Sequence, residues 1–248
     1  MSRHEENLWQ GIDAGVQGAI NTRDYRATHF TQALSQRGVN ASELTAADRS
    51  QREIKEAWIP GVEIFARKVH RQRHRGLFGE FVRRDEGILA QIGLWPEQWS
   101  AARMFSGTAK GFHVHPPSIP EDSDAVDWLR RLYIDEPDNY SVRSYDKEQW
   151  DVMFFIQGRV EIILCDIRAG LPRRVMRFFV DGDNHPSDNN VAVIVPPGVA
   201  HAIRVEGTED AIMVYGTSTV FRPEFEGRIA SEVESAALPE SWQKFLSL

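Results

Sequence analysis

From Pro60 onward the chain is a succession of short apolar runs cut by turn-forming residues, and that rhythm restricts the fold more than any other feature. The runs are VEIFAR (62–67), LFGEFV (77–82), WDVMFFI (150–156), VEIILCDI (160–167), RVMRFFV (174–180), VAVIVP (191–196), AIRVEG (202–207) and AIMVYGTST (211–219). Val, Ile and Phe dominate them. Gly, Pro, Asn or Asp clusters bound them at close to the spacing of antiparallel sandwiches and barrels. Several are apolar at consecutive positions, as strands covered on both faces are. No long amphipathic helices alternate with them, which argues against a parallel α/β sheet. The expected class is all-β, a jelly roll.

Two stretches depart from this texture. Residues 1–58 are mostly polar and carry one helix signal: Thr45 as N-cap, Asp48 three residues on, then AADRSQREIKEAW, halted by Ile59-Pro60-Gly61. Ile54, Ala57 and Trp58 would form its apolar stripe. This segment reads as a helical extension, packed on a main domain of residues 59–248 or on a second subunit. Residues 116–150 interrupt the strands with PPSIPEDSD, a short helix expected from Asp124 to Tyr133 with Ser123 as its cap, and DEPDNYSVRSYDKEQW. Insertions of this length are surface excursions, and some act as lids.

Composition sets outer bounds. At 42% hydrophobic and 26% charged, the 248 residues have the make-up of a folded globular chain. The formal charge of -7 speaks against binding a phosphate backbone. The basic tract ARKVHRQRHR (66–75) stands in this acidic context without interleaved aromatics, so nucleic acid is not expected as a partner. A lone cysteine, Cys165, makes an internal disulfide impossible and reads as a buried small hydrophobe. The polar start MSRHEENLWQ does not resemble a secretory leader, and no apolar window approaches the ~18 residues of a membrane span. A cytoplasmic location without membrane contact is the expectation.

Three of the eight histidines stand where chemistry could use them. His113 and His115 form a His-x-His pair in GFHVHPP, and on a strand side chains at i and i+2 share a face. His201 follows a Pro196-x-Gly198-x-x turn that delivers it to the next strand. Between them, Asp151 lies seven positions before Gly158. Three imidazoles and a carboxylate suit a divalent transition metal (Fe, Mn, Ni or Zn) with an open coordination position.

In order, these pieces resemble the two-part signature of the cupin superfamily, a double-stranded jelly-roll barrel. Asp151 stands where that signature usually has Glu, and 35 residues separate the two parts. The stretch from about Pro60 to Trp242 resembles more closely the dTDP-4-dehydrorhamnose 3,5-epimerase family. The similarity lies in IPGVEIFARKV, HRGLFGEF, KGFH, GRVEIILCDIR, VPPGVAHAI and VYGTSTVFRPEFEGRI. The resemblance implies a homodimer, a small-molecule substrate of nucleotide-sugar type and no organic cofactor. It implies metal-free catalysis with His113 as base, His201 as second pocket histidine, and Arg75, Glu80, Lys110 and Tyr215 lining the substrate pocket. Three of the family's groups are replaced. Its enolate-binding lysine falls at Asp151, its proton-donating tyrosine at Val220 or Phe221, and the acid of its His–Asp dyad near Val233, flanked by Glu232 and Glu234.

Three functions are then open. One is a metal cupin, with His113, His115, Asp151 and His201 as ligands, acting on a sugar-like or acidic metabolite. A second is a metal-free epimerase or isomerase using His113. The third is a carbohydrate-binding cupin without catalysis. Coordination of His113 would occupy the lone pair a base needs, so the first two exclude each other at that atom.

Overall fold

The computed structural model describes residues 58–187, 189–229 and 238–246. The helix expected before Trp58 therefore lies outside the described residues. Twelve strands follow: β1 (Glu63–Ala66), β2 (Val69–Arg71), β3 (Leu77–Gly79), β4 (Gln98–Met104), β5 (Ala109–Val114), β6 (Asp151–Gln157), β7 (Arg159–Asp166), β8 (Val175–Asp181), β9 (Val191–Val195), β10 (Val199–Glu206), β11 (Ala211–Thr217) and β12 (Gly227–Arg228). One five-stranded sheet runs β1-β9-β6-β11-β4, a second runs β12-β5-β10-β7-β8, and among the described residues β2 pairs only with β3. Every pairing is antiparallel. The two layers do not close on each other, so the expected barrel is an open jelly-roll sandwich.

The apolar runs map onto strands because their alternate positions feed two different cores. Met153 and Phe155 of β6, Ile162 and Leu164 of β7, Val193 and Val195 of β9, and Ile203 and Val205 of β10 meet between the sheets. Their alternates, Val152, Phe154, Ile163, Cys165, Ala192, Ile194, Ala200 and Ala202, are buried in a second cluster. That second cluster also takes in Leu129, Leu132 and Tyr133 of the excursion and Trp242, Phe245 and Leu246 near the C-terminus. Each fully buried side chain of this size contributes about 1.5–3 kcal/mol. Consecutive apolar residues are thus required wherever both faces of a strand are covered.

Four strands lie outside the apolar runs: β2, β4, β12 and β5, whose His-x-His pair already suits a strand. β4, QWSAARM, alternates exposed and covered positions with small or polar residues, and β5, AKGFHV, carries Lys and Gly. Neither reads as an apolar run. The run at 77–82 yields a strand only through Gly79, and the one placed at 202–207 begins earlier, at Val199.

In the excursion, α1 being Ile88–Ile92 upstream, α2 spans Ala125–Arg130. Its cap is Asp124 and not Ser123, because the Asp124 carboxylate accepts hydrogen bonds from the Val126 and Asp127 amides. Leu129, Leu132 and Tyr133 are buried. The Tyr133 ring carries the Arg168 guanidinium 3.8 Å and the Arg143 guanidinium 4.2 Å from its centroid. Among the described residues no helix is long and apolar enough to cross a membrane.

Candidate active site

Two backbone devices bring the histidines together. Gly111 has φ +130, and a Cβ there would lie 2.5 Å from the Ala202 Cβ and 2.8 Å from the His201 carbonyl oxygen, so only glycine lets β5 press against β10. In the resulting register His113 is directly opposite His201. The second device is the turn Pro196–Gly198, whose Gly198 amide donates to the His115 carbonyl at 2.8 Å. His115 sits one residue past the end of β5. Asp151 opens β6 in the other sheet and points into the same space.

His115 Nε2 lies 3.1 Å from Asp151 Oδ2, and His201 Nε2 lies 3.3 Å from the same oxygen. All three residues are about 5% exposed. The remaining ring nitrogens are spoken for: His115 Nδ1 is 2.8 Å from the Phe225 carbonyl and His201 Nδ1 is 3.2 Å from the Val199 carbonyl. A carbonyl only accepts, so each Nδ1 carries the hydrogen and each Nε2 is turned to Asp151. Gln149 donates from Nε2 to Asp151 Oδ1 at 3.0 Å and stands 3.1 Å from His115 Nε2. Backbone-anchored Nδ1 atoms with convergent Nε2 atoms are the outer-shell arrangement of metal-binding histidines. Among the described residues, His115, Asp151 and His201 offer ligand atoms that all lie within 4.8 Å of one another. The donor set, two imidazoles and a carboxylate, fits a divalent transition metal.

Burial alone would push the Asp151 carboxyl up, but His115, His201 and Gln149 together hold it well below the usual carboxylate range. Burial disfavours the His115 cation, yet the Asp151 charge outweighs it and His115 is pushed up to about 9. His201 is pushed down to about 4, by burial first and then by the neighbouring imidazoles. Either a proton on His115 or a cation in its place satisfies this geometry.

His113 stands apart. It does not belong to the three-residue group. Its ring stacks on His201 at 5.8 Å between centroids, its side chain is 27% exposed, and its Nδ1 faces Glu226 Oε2 at 3.8 Å. The four-ligand set expected from the sequence thus divides into a buried trio and a more open third imidazole, His113.

The other pocket residues are scattered. Tyr215 on β11 pairs in register with Met153, two positions from the Thr217–Asp151 pair, and packs on the core between the sheets. Lys110 is exposed on β5, and Arg75 is exposed in a 3-10 turn, Arg73–Arg75. Glu80 is exposed, pairs with Arg83 at 2.5 Å and lines a surface cavity with Phe65, Phe81 and Ile88. Val220 and Phe221 are 51% and 61% exposed. Residues 230–237, including Val233 and its flanking glutamates, lie outside the described residues. Sequence reasoning missed Gln149 and Glu226. Gln149 was legible as the i−2 neighbour of Asp151, but Glu226 becomes visible only once β12 is laid against β5.

No family model matches the chain. A curated relative, the spore coat polysaccharide biosynthesis protein SpsL of Bacillus subtilis, is 26% identical over 167 residues, covering 67% of this chain and 84% of SpsL. Among solved structures, a dTDP sugar isomerase from Desulfovibrio desulfuricans G20 superposes with a TM-score of 0.50 at 13% identity, over 69% of this chain and 85% of that one. The chain shares that jelly-roll fold. The RmlC epimerase of Mycobacterium tuberculosis is similar as well, at TM-score 0.49 and 20% identity over 70% of each chain. A shared fold at such low identity fixes the frame of the site and leaves its chemistry to the residues.

Proposed function

We propose that this chain is a sugar-modifying isomerase that moves a proton beside a carbonyl with His113, and that it holds a divalent metal on His115, Asp151 and His201. One observation carries the reading: two imidazole Nε2 atoms, each fixed by a carbonyl on its other nitrogen, converge on one buried carboxylate oxygen. The third imidazole, His113, is left outside that group. The two roles that exclude each other on one atom are thereby divided between different histidines. The bound metal would polarise the substrate carbonyl, the task of the lysine that Asp151 replaces. The polysaccharide-biosynthesis name of SpsL and the sugar-isomerase name of the Desulfovibrio protein support a nucleotide-linked keto sugar as substrate class.

His113 takes the proton from the carbon next to the carbonyl, and the electron pair of the C–H bond passes into the enolate. Val220 and Phe221 have no proton to return from the opposite face. The same imidazole therefore gives the proton back on the face from which it came. It returns the proton to the carbon that lost it, which exchanges the hydrogen, or to the former carbonyl carbon while the neighbouring hydroxyl passes its proton to the enolate oxygen, which moves the carbonyl. Neither route inverts two centres. The test is elemental analysis of protein purified without added metal, together with solvent-deuterium incorporation into a dTDP-4-keto-6-deoxyhexose. About one equivalent of metal and measurable exchange are expected. Exchange by metal-free protein would favour the metal-free reading, for which the protonated His115 beside Asp151 supplies the compensating charge. Neither metal nor exchange, with a sugar nucleotide raising the melting temperature, would overturn the enzyme in favour of a binding protein.

A further inference from the structure

The family resemblance puts the acid that serves His113 near Val233, outside the described residues. We infer that Glu226 is the positioning residue of His113, holding the ring with Nδ1 protonated and Nε2 bare toward the cavity. The inference deepens the proposed function and rests on His113 being its base.

Glu226 is delivered by two short elements. A 3-10 turn, Pro223–Phe225, ends immediately before it, and β12 begins immediately after it. β12 pairs with β5 so that Gly227 opposes Val114 and Arg228 opposes His113. Gly227 cannot be enlarged in this packing, since a Cβ there would lie 2.4 Å from the Trp242 ring and 3.0 Å from Val114. The preceding residue is thereby held at the histidine pair. Its carboxylate spans both rings: Oε2 lies 3.8 Å from His113 Nδ1 and Oε1 lies 3.9 Å from His115 Nδ1.

The two histidines use Glu226 differently. His115 Nδ1 has the Phe225 carbonyl as acceptor at 2.8 Å, so the carboxylate is not needed to fix that ring. For His113 Nδ1, Glu226 is the ion-pairing partner among the described residues. A free imidazole favours hydrogen on Nε2, the tautomer that cannot accept a proton there. A carboxylate at Nδ1 reverses the preference and orients the ring, as the acid of a base–acid pair does. Glu226 carries side-chain exposure of 21%, so the pairing is shielded without being sealed.

The experiment is long-range proton–nitrogen NMR of the full chain with nitrogen-15 histidine, at a pH where His113 is neutral, run alongside the deuterium-exchange assay. The native protein should show His113 protonated on Nδ1. Glu226→Ala should shift it to the Nε2-protonated form and lower kcat for exchange by ~10²-fold or more with KM changed less than about threefold. Glu226→Asp should restore part of both. A native His113 already protonated on Nε2, or one whose tautomer is unchanged in both Glu226→Ala and Glu226→Gln, would overturn the assignment. Absence of exchange with the tautomer shift intact would sink the proposed substrate class and leave Glu226 in its role.

Discussion

The Gly198 amide donates to the His115 carbonyl at 2.8 Å, so the turn that launches His201 also holds the chain at the other buried histidine. Gly198 has φ +75, and a Cβ there would lie 2.3 Å from the Arg168 side chain. The turn is thus gripped between the site and a buried arginine. The motif Pro-x-Gly-x-x-His matters here less for the proline than for what the glycine leaves room for.

That room gives a first expectation. Gly198→Ala and Gly111→Ala should each destabilise the fold by about 2 kcal/mol or more, since each adds a clash to a positive φ. Urea melts would measure this, and metal content per folded molecule should fall in parallel. Wild-type stability in Gly111→Ala would show that β5 does not need its close approach to β10.

Splitting the histidines gives a second. His115→Ala, Asp151→Asn and His201→Ala should each lose most of the bound metal. His113→Ala should keep it while exchange of substrate hydrogen falls ~10²-fold or more. Equal metal loss in His113→Ala would return that residue to the ligand set.

The Asp166–Arg168 pair supports a third. Both side chains are fully buried, with Arg168 Nη2 2.7 Å from Asp166 Oδ2. Arg168 also donates to the Pro60 carbonyl at 2.8 Å and lies over the Tyr133 ring. Arg168→Ala strands a buried carboxylate and should cost ~3–5 kcal/mol. Limited proteolysis should then cut first within 116–150, the segment that Tyr133 anchors.

Cys165 yields a fourth. It is fully buried on β7, and burial pushes its thiol up to about 11. Alkylation at neutral pH should run at least ~10²-fold slower in the folded protein than in urea. Rapid native labelling would mean that this part of β7 opens readily.

Much of the fold could be read from the chain because runs such as VEIILCDI are covered on both faces, and a residue needed on each side leaves no polar gap. β4 and β5 stand outside such runs for the converse reason: β4 alternates exposed and covered positions, and β5 carries Lys110 and His113. The convergence of His115, Asp151 and His201 was legible from their turns and parity. The separation of His113 from them was not, because it depends on which carbonyl or carboxylate meets each ring nitrogen. Glu226 was hidden in the same way, since its partner lies more than a hundred residues away in sequence and is reached through the short β12 pairing. Ser123 is the cap the sequence suggests, but the backbone uses Asp124, whose carboxylate reaches two amides.

Asp151 comes from one sheet and His115 and His201 from the other. A cation held among them would act as a clasp at the rim of the sandwich, fastening layer to layer where no covalent bond does. On the proposed reading, then, breathing of that rim and release of the ion are a single event.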